Sequence, residues 1–221
     1  MNEHTLHSEI KEWYSLPGDE FEVKISGFIV DIVRGDLLIE IQTKNFSAIK
    51  KKLISLIRER EVRLVHPIAR RKWIVLVTKL GEVVRRRKSP RMGRFTDLFW
   101  ELVSFPDLIN DLNFSLEILM VDVEEIRCND GKGSWRRRGA SIKDRKLLNV
   151  ESRTLLNHPG DLLKSMPNLN GRFTNRSLAT QINVPIHLAR KITYCLRKTK
   201  ACKVVGKKGR ALVFETTPEV E

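Results

Sequence analysis

Asp31 stands alone among apolar residues in Phe28-Ile-Val-Asp-Ile-Val33. Glu40, Gln42 and Lys44 follow at spacing two in Leu37-Leu-Ile-Glu-Ile-Gln-Thr-Lys44. Arg34-Gly35-Asp36 lies between the two runs and predicts a hairpin turn. Spacing two places Glu40, Gln42 and Lys44 on one strand face, with Leu37, Ile39, Ile41 and Thr43 on the other. Such polar groups are costly to bury without partners. Two acids on adjacent strands can converge on one divalent cation, because Mg²⁺ keeps several waters and needs only one or two carboxylates. The ion would stabilise charge on a reacting phosphate and lower the pKa of an attacking water. Lys44 would stabilise that charge or help deprotonate the water. Gln42 would hold the water or a phosphate oxygen without adding charge. The competing reading is a solvated strand face, with Asp31 as a cross-strand partner of Lys44. The isolated acid in an apolar run argues against it.

The surrounding pattern supplies the elements that would position these residues. Leu6, Ile10, Trp13 and Tyr14 share a helical stripe over residues 5–15, and Pro17-Gly18-Asp19 ends it. Phe21, Val23 and Ile25 alternate with Glu22 and Lys24 as a first strand. After the hairpin, Phe46, Ile49, Leu53, Leu56 and Ile57 repeat at helical spacing from Asn45 to Arg60, with Asn45 or Ser47 as cap. This helix carries Lys50-Lys51-Lys52. Val62 to Ile68 reads as a strand ended near Pro67. Trp73–Val77 and Glu82–Val84 read as a hairpin turning at Gly81. Residues 94–112 read as a helix broken near Pro106, Phe114–Val123 as a strand, and Asn129–Gly139 as coil. Lys146 to Leu156 reads as a connecting helix, followed by Pro159-Gly160 and Pro167-Asn-Leu-Asn-Gly171 as punctuation.

The chain has 221 residues, enough for one large or two small domains. Its net charge is +14 with 31% charged residues, a balance that points to a polyanionic partner, DNA or RNA before an acidic membrane. No apolar run reaches the roughly 18 residues of a membrane span. Met-Asn-Glu-His-Thr-Leu-His lacks a signal pattern, and three scattered cysteines without a CxxC pair fit a reducing cytoplasm. The charge is uneven. Residues 1–47 hold nine acids against four Lys and Arg, whereas residues 85–94 hold six bases and residues 170–214 eleven, neither with an acid. The candidate nucleic-acid-binding residues are therefore Arg85, Arg86, Arg87, Lys88, Arg136, Arg137 and Arg138. Trp135 beside the last three could stack an unstacked base.

In the C-terminal region, Thr174 can cap a helix through Ile182. Asn183-Val184-Pro185 predicts a turn into a second helix to about Thr199. Leu188, Ala189, Ile192 and Leu196 face inward there, leaving His187, Arg190, Lys191, Arg197 and Lys198 outward. Cys202–Val205 and Arg210–Phe214 make a hairpin tipped by Lys207 and Lys208. Helix, turn, helix and basic hairpin resembles the winged-helix family. That resemblance implies a second helix in the major groove and a hairpin, with Lys207, Lys208 and Arg210, on the backbone.

Helix, strand, strand with Asp31, strand with Glu40-Ile41-Gln42 and helix resembles the core of the PD-(D/E)xK nuclease superfamily over roughly residues 5–80. The resemblance implies that Asp31 and Glu40 bind Mg²⁺ or Mn²⁺, that the Ile41 carbonyl joins them, and that Glu9 or Glu12 adds an acid from the first helix. Gln42 stands where that superfamily usually has lysine, and Lys44 would stand in from one step along the strand. The expectation is an α/β (α+β) protein with a restriction-endonuclease-like mixed sheet flanked by helices. Residues 1–145 would form the nuclease-like domain, 146–171 a connecting helix and linker, and 172–221 a winged helix. The expected activity is metal-dependent hydrolysis of nucleic-acid phosphodiesters, DNA favoured over RNA. A catalytically degenerate DNA-binding regulator and an RNA-processing protein are the alternatives. Many nucleases of this type are dimers, which leaves a homodimer open.

Overall fold

A computed structural model describes residues 5–166, 169 and 171–217. The first residues of the expected signal-free N-terminus, and Pro167, Asn168 and Asn170 of the expected punctuation, lie outside the described residues. The chain runs α1 (Thr5–Tyr14), β1 (Glu20–Ile25), β2 (Phe28–Arg34), β3 (Leu37–Ile41), α2 (Phe46–Leu56), β4 (Glu61–Val77), β5 (Val83–Lys88), α3 (Phe99–Leu102), β6 (Phe114–Cys128) and β7 (Ser141–Leu156). There follow α4 (Pro159–Lys164), β8 (Arg172–Phe173), α5 (Asn175–Gln181), α6 (Ile186–Lys198), β9 (Cys202–Lys208) and β10 (Ala211–Thr216). The result is a mixed α/β molecule with a large mixed sheet flanked by helices. Its seven strands follow the order β1-β2-β3-β4-β6-β7, with β5 paired to β4, and a second sheet has the order β8-β10-β9.

The three-strand meander β1-β2-β3 is antiparallel, and α2 carries the chain over to β4, which lies parallel to β3. The helices take opposite faces. Leu38 and Val33 pack with Phe46, Leu53 and Leu56 of α2, whereas Ile39 and Ile41 pack with Leu6, Ile10 and Tyr14 of α1. Period-two alternation on β3 thus feeds two cores.

Three expectations are corrected here. The strand from Val62 does not stop at Pro67 but continues to Val77. Proline removes a ladder donor and is tolerated where that side of the strand is open. The β3–β4 ladder ends at Ile41↔Val65 and the β4–β5 ladder begins only at Trp73↔Lys88, so Pro67 sits in the gap between them. Residues 146–156 are not a connecting helix but the second part of β7, paired along β6 from Cys128↔Ser141 to Leu116↔Leu156. The boundary expected at 145/146 therefore falls inside the sheet. Residues 94–112 make only short pieces, two 3₁₀ turns around α3.

The C-terminal region is built as its pattern predicts. The Thr174 hydroxyl accepts the Ser177 N–H at 3.2 Å and starts α5. Leu188, Ala189, Ile192 and Leu196 are buried on α6, and β9 and β10 form the basic hairpin. Its core is continuous with the α2 face of the large sheet. Arg94 helps join the two parts, donating to the carbonyls of Asn183 (2.7 Å) and Ile182 (2.8 Å) at the end of α5.

Candidate functional site

Asp31 and Glu40 meet across the β2–β3 hairpin. The ladder pairs Ile32 with Ile39, Val33 with Leu38 and Arg34 with Leu37. Beyond its last pair, the Glu40 carboxylate accepts the Asp31 N–H and lies close enough to feel the charge of the Asp31 carboxylate. On the other side of β2 the ladder pairs Phe21 with Ile32 and Val23 with Val30 but passes over Glu22 and Asp31. Glu22 there has φ +54°, a conformation that L side chains rarely adopt. Val30 and Ile32, two residues apart, belong to the two different cores. The strand is therefore irregular at Asp31 itself, the kind of local device that re-aims a side chain.

Each acid is held from a different helix. Asp31 Oδ2 accepts the Ile41 N–H at 2.8 Å and lies 3.2 Å from His7 Nε2 of α1. Burial raises its carboxyl, but the bonds from His7 and Ile41 outweigh that and leave it lowered. Glu40 is 4% exposed, which removes the solvated-face reading. Its Oε1 lies 2.5 Å from Lys52 Nζ of α2, and Lys52 also donates to the Ile29 carbonyl. Burial, and then the negative charge of Asp31, push the Glu40 carboxyl up to about 7, against the opposing pull of Lys52. The ammonium of Lys52 acts on Asp31 as well. The site is thus two coupled carboxylates and one amine.

Other buried acids show what a merely structural carboxylate looks like here. Glu125 is met by Arg127 (2.5 Å), Arg145 (3.0 Å) and Lys72 (3.3 Å) and is pulled down to about 2, despite its burial. Asp122 is held by both arms of Arg71, and Glu117 by Arg153 and Tyr14. Among the described residues Glu40 meets one cation, Lys52, and the Asp31 N–H, with a second acid beside it, so its charge is less compensated than that of Glu125.

The remaining candidates separate. β3 ends at Ile41, so Gln42 and Lys44 are not on the strand face with Glu40. Gln42 donates through Nε2 to the carbonyls of Lys44 (2.5 Å) and Asn45 (3.3 Å), closing the turn into α2. Its own carbonyl lies 2.6 Å from Nδ1 of His66, a ring whose pKa burial lowers and which donates there as a neutral imidazole. Lys44 is exposed and lines a small cavity with Leu6 and residues 142–145. Lys52, which spacing along one strand could not reveal, holds the place expected for Lys44. A signal was present: Lys52 sits three residues after Ile49 and four before Leu56, on the inward stripe of α2. Glu9 accepts the Leu147 N–H from β7, and Glu12 is exposed, so neither acid of α1 joins the pair. Among the described residues no group of three or more His, Cys, Asp and Glu converges. The donor set suits an ion held by two carboxylates and water. The buried Glu40 Oε1, lacking a well-directed hydrogen-bond donor, is the atom such an ion would satisfy.

The basic residues form two surfaces. On β5, Arg86 and Lys88 lie over the Trp73 ring, and Arg86 also meets Glu124 at 2.8 Å. Arg85 and Arg87 point the other way and share a cleft with Arg136, Arg137 and Arg138. In the C-terminal region, Arg190, Lys208 and Arg210 line a groove of about 1140 Å³ between α5, α6 and the hairpin. Arg197 and Lys207 are exposed. On α6, His187, Arg190, Arg197 and Lys198 are exposed, as expected, and Lys191 is half-buried. Three of these side chains also meet neighbouring elements: His187 lies 5.1 Å from Trp100 with the rings tilted, Lys191 lies 5.5 Å over that ring, and Lys198 is 4.0 Å from Asp107. The reason is packing: α6 docks on α3, and its basic flank lies along that contact.

Comparison with known proteins adds relatives. An uncharacterized protein of Treponema pallidum (strain Nichols) is 30% identical over 218 residues, covering 96% of this chain and 85% of that protein. No solved structure matches the chain. Residues 4–157 match the family described as a domain of unknown function, DUF8091. The match begins just before α1 and ends just after β7, so it takes in the whole seven-stranded sheet, and the chain belongs to the DUF8091 family.

Proposed function

We propose that this protein is a metal-dependent nuclease with a restriction-endonuclease-like core and a C-terminal winged helix, acting on DNA before RNA. The observation that carries the reading is the nearness of the Asp31 and Glu40 carboxylates, with the Lys52 ammonium of α2 paired to Glu40 and acting on both. The order helix, meander, crossover helix and parallel strand supports the likeness to the PD-(D/E)xK superfamily. Mg²⁺ or Mn²⁺ held by Asp31 and Glu40 would supply a water activated for attack on the phosphodiester. The chain's own part is narrower. Lys52 holds a positive charge beside Glu40 and would stabilise charge on the reacting phosphate. His7 and the Ile41 N–H hold Asp31 in its ionised form. Glu40, raised to about 7, is ionised only in neutral to alkaline solution or when a cation offsets its charge. The groove lined by Arg190, Lys208 and Arg210 suits a phosphate backbone.

Incubation of plasmid DNA, single-stranded DNA and RNA with Mg²⁺ or Mn²⁺ tests the reading. Wild-type protein cuts at least one of them, whereas Asp31→Asn and Glu40→Gln protein retain binding and do not cut. Equal cutting by wild type and both variants would place the activity elsewhere. No cutting of any substrate would favour the DNA-binding regulator.

A further inference from the structure

Two arginine clusters fifty residues apart in sequence close one cleft. The cleft holds about 490 Å³. Its floor is apolar, with Ile74 and Leu76 of β4 and Ala140 before β7. One wall is β5, where Arg85 stands opposite Leu76 and Arg87 opposite Ile74 in the ladder. The other wall is the turn bearing Arg136, Arg137 and Arg138, and Arg127 of β6 closes the set at six guanidinium groups. Among the described residues, Arg85, Arg87, Arg136 and Arg138 have no acidic partner within ion-pair distance. The acids nearby are already engaged: Glu125 holds Arg127, and Asp130 is taken by Lys143 at 2.9 Å and Ser141 at 2.8 Å.

The turn is braced. The Gly133 N–H donates to the Gly139 carbonyl at 2.8 Å, and Arg137 Nε donates to the Ala140 carbonyl at 3.1 Å. A Cβ at Gly133 would fall 1.8 Å from the Ala140 oxygen, so the close approach requires glycine there. The brace presents Trp135 at 83% exposure, its ring touched by the Arg136 guanidinium at 5.6 Å. A bare indole on a rigid turn has no packing role to explain it.

We infer that this cleft binds a segment of single-stranded nucleic acid, with phosphates on the arginines and an unstacked base on the Trp135 ring. The four arginines without an acidic partner, around an apolar floor, match a phosphate next to a base face. A duplex hides its base faces and would leave floor and indole unused. The choice of ligand rests on the nuclease reading, but the site is separate from Asp31 and Glu40. Ten residues of β4 separate Leu64, paired with Glu40, from Ile74 in the floor, on the order of 30 Å along the strand. The cleft would hold a strand at a distance from the bond that is cut.

The test uses the full chain in EDTA, so that neither metal nor cleavage enters. Fluorescent oligothymidine and oligouridine strands are titrated and compared with a blunt duplex. The Trp135 signal is obtained as the difference in tryptophan quenching between wild type and Trp135→Phe. The expected result is that single strands quench Trp135 at concentrations where the duplex does not. Arg85→Ala/Arg87→Ala and Arg136→Ala/Arg138→Ala, which alter opposite walls through exposed side chains, each weaken single-strand binding about tenfold or more and flatten its salt dependence. The two strand types distinguish DNA from RNA as the source of the same chemistry. Unchanged single-strand affinity in both double variants would overturn the inference, as would equal quenching of Trp135 by duplex. Because cleavage is not read, loss of the nuclease reading leaves this result standing, and the reverse holds as well.

Discussion

At the residue scale, the sequence exposes two acids and hides the amine. Asp31 and Glu40 were legible because an acid inside an apolar run violates the pattern of a buried strand, and the hairpin spacing brings them together. Lys52 left only its place on the inward stripe of α2 as a signal, because its approach to Glu40 runs through space from the next helix. The geometry predicts that Lys52→Ala lowers metal-dependent cleavage by on the order of 10²-fold, while Lys44→Ala leaves it unchanged; single-turnover rates on one substrate check both. Glu40 adds a prediction about pH. Its carboxyl is raised from 4.5 to about 7 by folding, so the ionised form costs stability. That cost is absent below pH 4.5, grows as pH rises, and is complete above about 7. Glu40→Gln removes the charge. In EDTA it should therefore match wild type near pH 4 and exceed it near pH 8 by on the order of 1–3 kcal/mol in urea unfolding. A constant difference across that range would mean that Glu40 does not titrate as its burial implies.

At the element scale, the meander, α2 and the C-terminal helices follow their apolar periods, and β7 does not. Its ladder with β6 shifts register at Met120/Val121, Asp122/Val123 and Ile126/Arg127. Each shift breaks the period of two, and what remains between Lys146 and Leu156 imitates a helical stripe. Likewise β4 crosses Pro67 because neither β3 nor β5 pairs there, although β6 does on the other side, which no local pattern states. On α6, the inward residues were legible but the use of its basic flank was not, since that depends on Trp100 and Asp107 arriving from another part of the chain. At the tip of the β9–β10 hairpin, Lys207 and Lys208 are exposed and form no ion pair among the described residues. Lys207→Ala/Lys208→Ala should weaken duplex DNA binding and reduce its salt slope, where the wild type loses about tenfold or more between roughly 50 and 200 mM salt. An identical slope in the double variant would take the hairpin off the nucleic acid.

At the scale of the whole molecule, the large sheet and the C-terminal region share a buried core. Leu98, Phe99 and Leu102 beside the large sheet and Leu188, Ile192 and Leu196 of α6 belong to one buried cluster, and Arg94 bonds across the same junction. The overall charge and the mixed α/β class were readable from composition and element order. The junction was not, because both halves are locally self-consistent and nothing in a linear pattern says which apolar faces meet. A shared core predicts one unfolding event. Urea transitions followed by far-ultraviolet circular dichroism and by tryptophan fluorescence should coincide. Two separated transitions would show that the C-terminal region folds as an independent unit.

A crystal of the wild-type protein grown above pH 7 and soaked in Mn²⁺ tests most directly whether one ion binds between Asp31 and Glu40. The predicted result is an anomalous-scattering peak in contact with an oxygen of each carboxylate, with Lys52 moved away from Glu40. Absence of a peak there, with Lys52 still paired to Glu40, would contradict it.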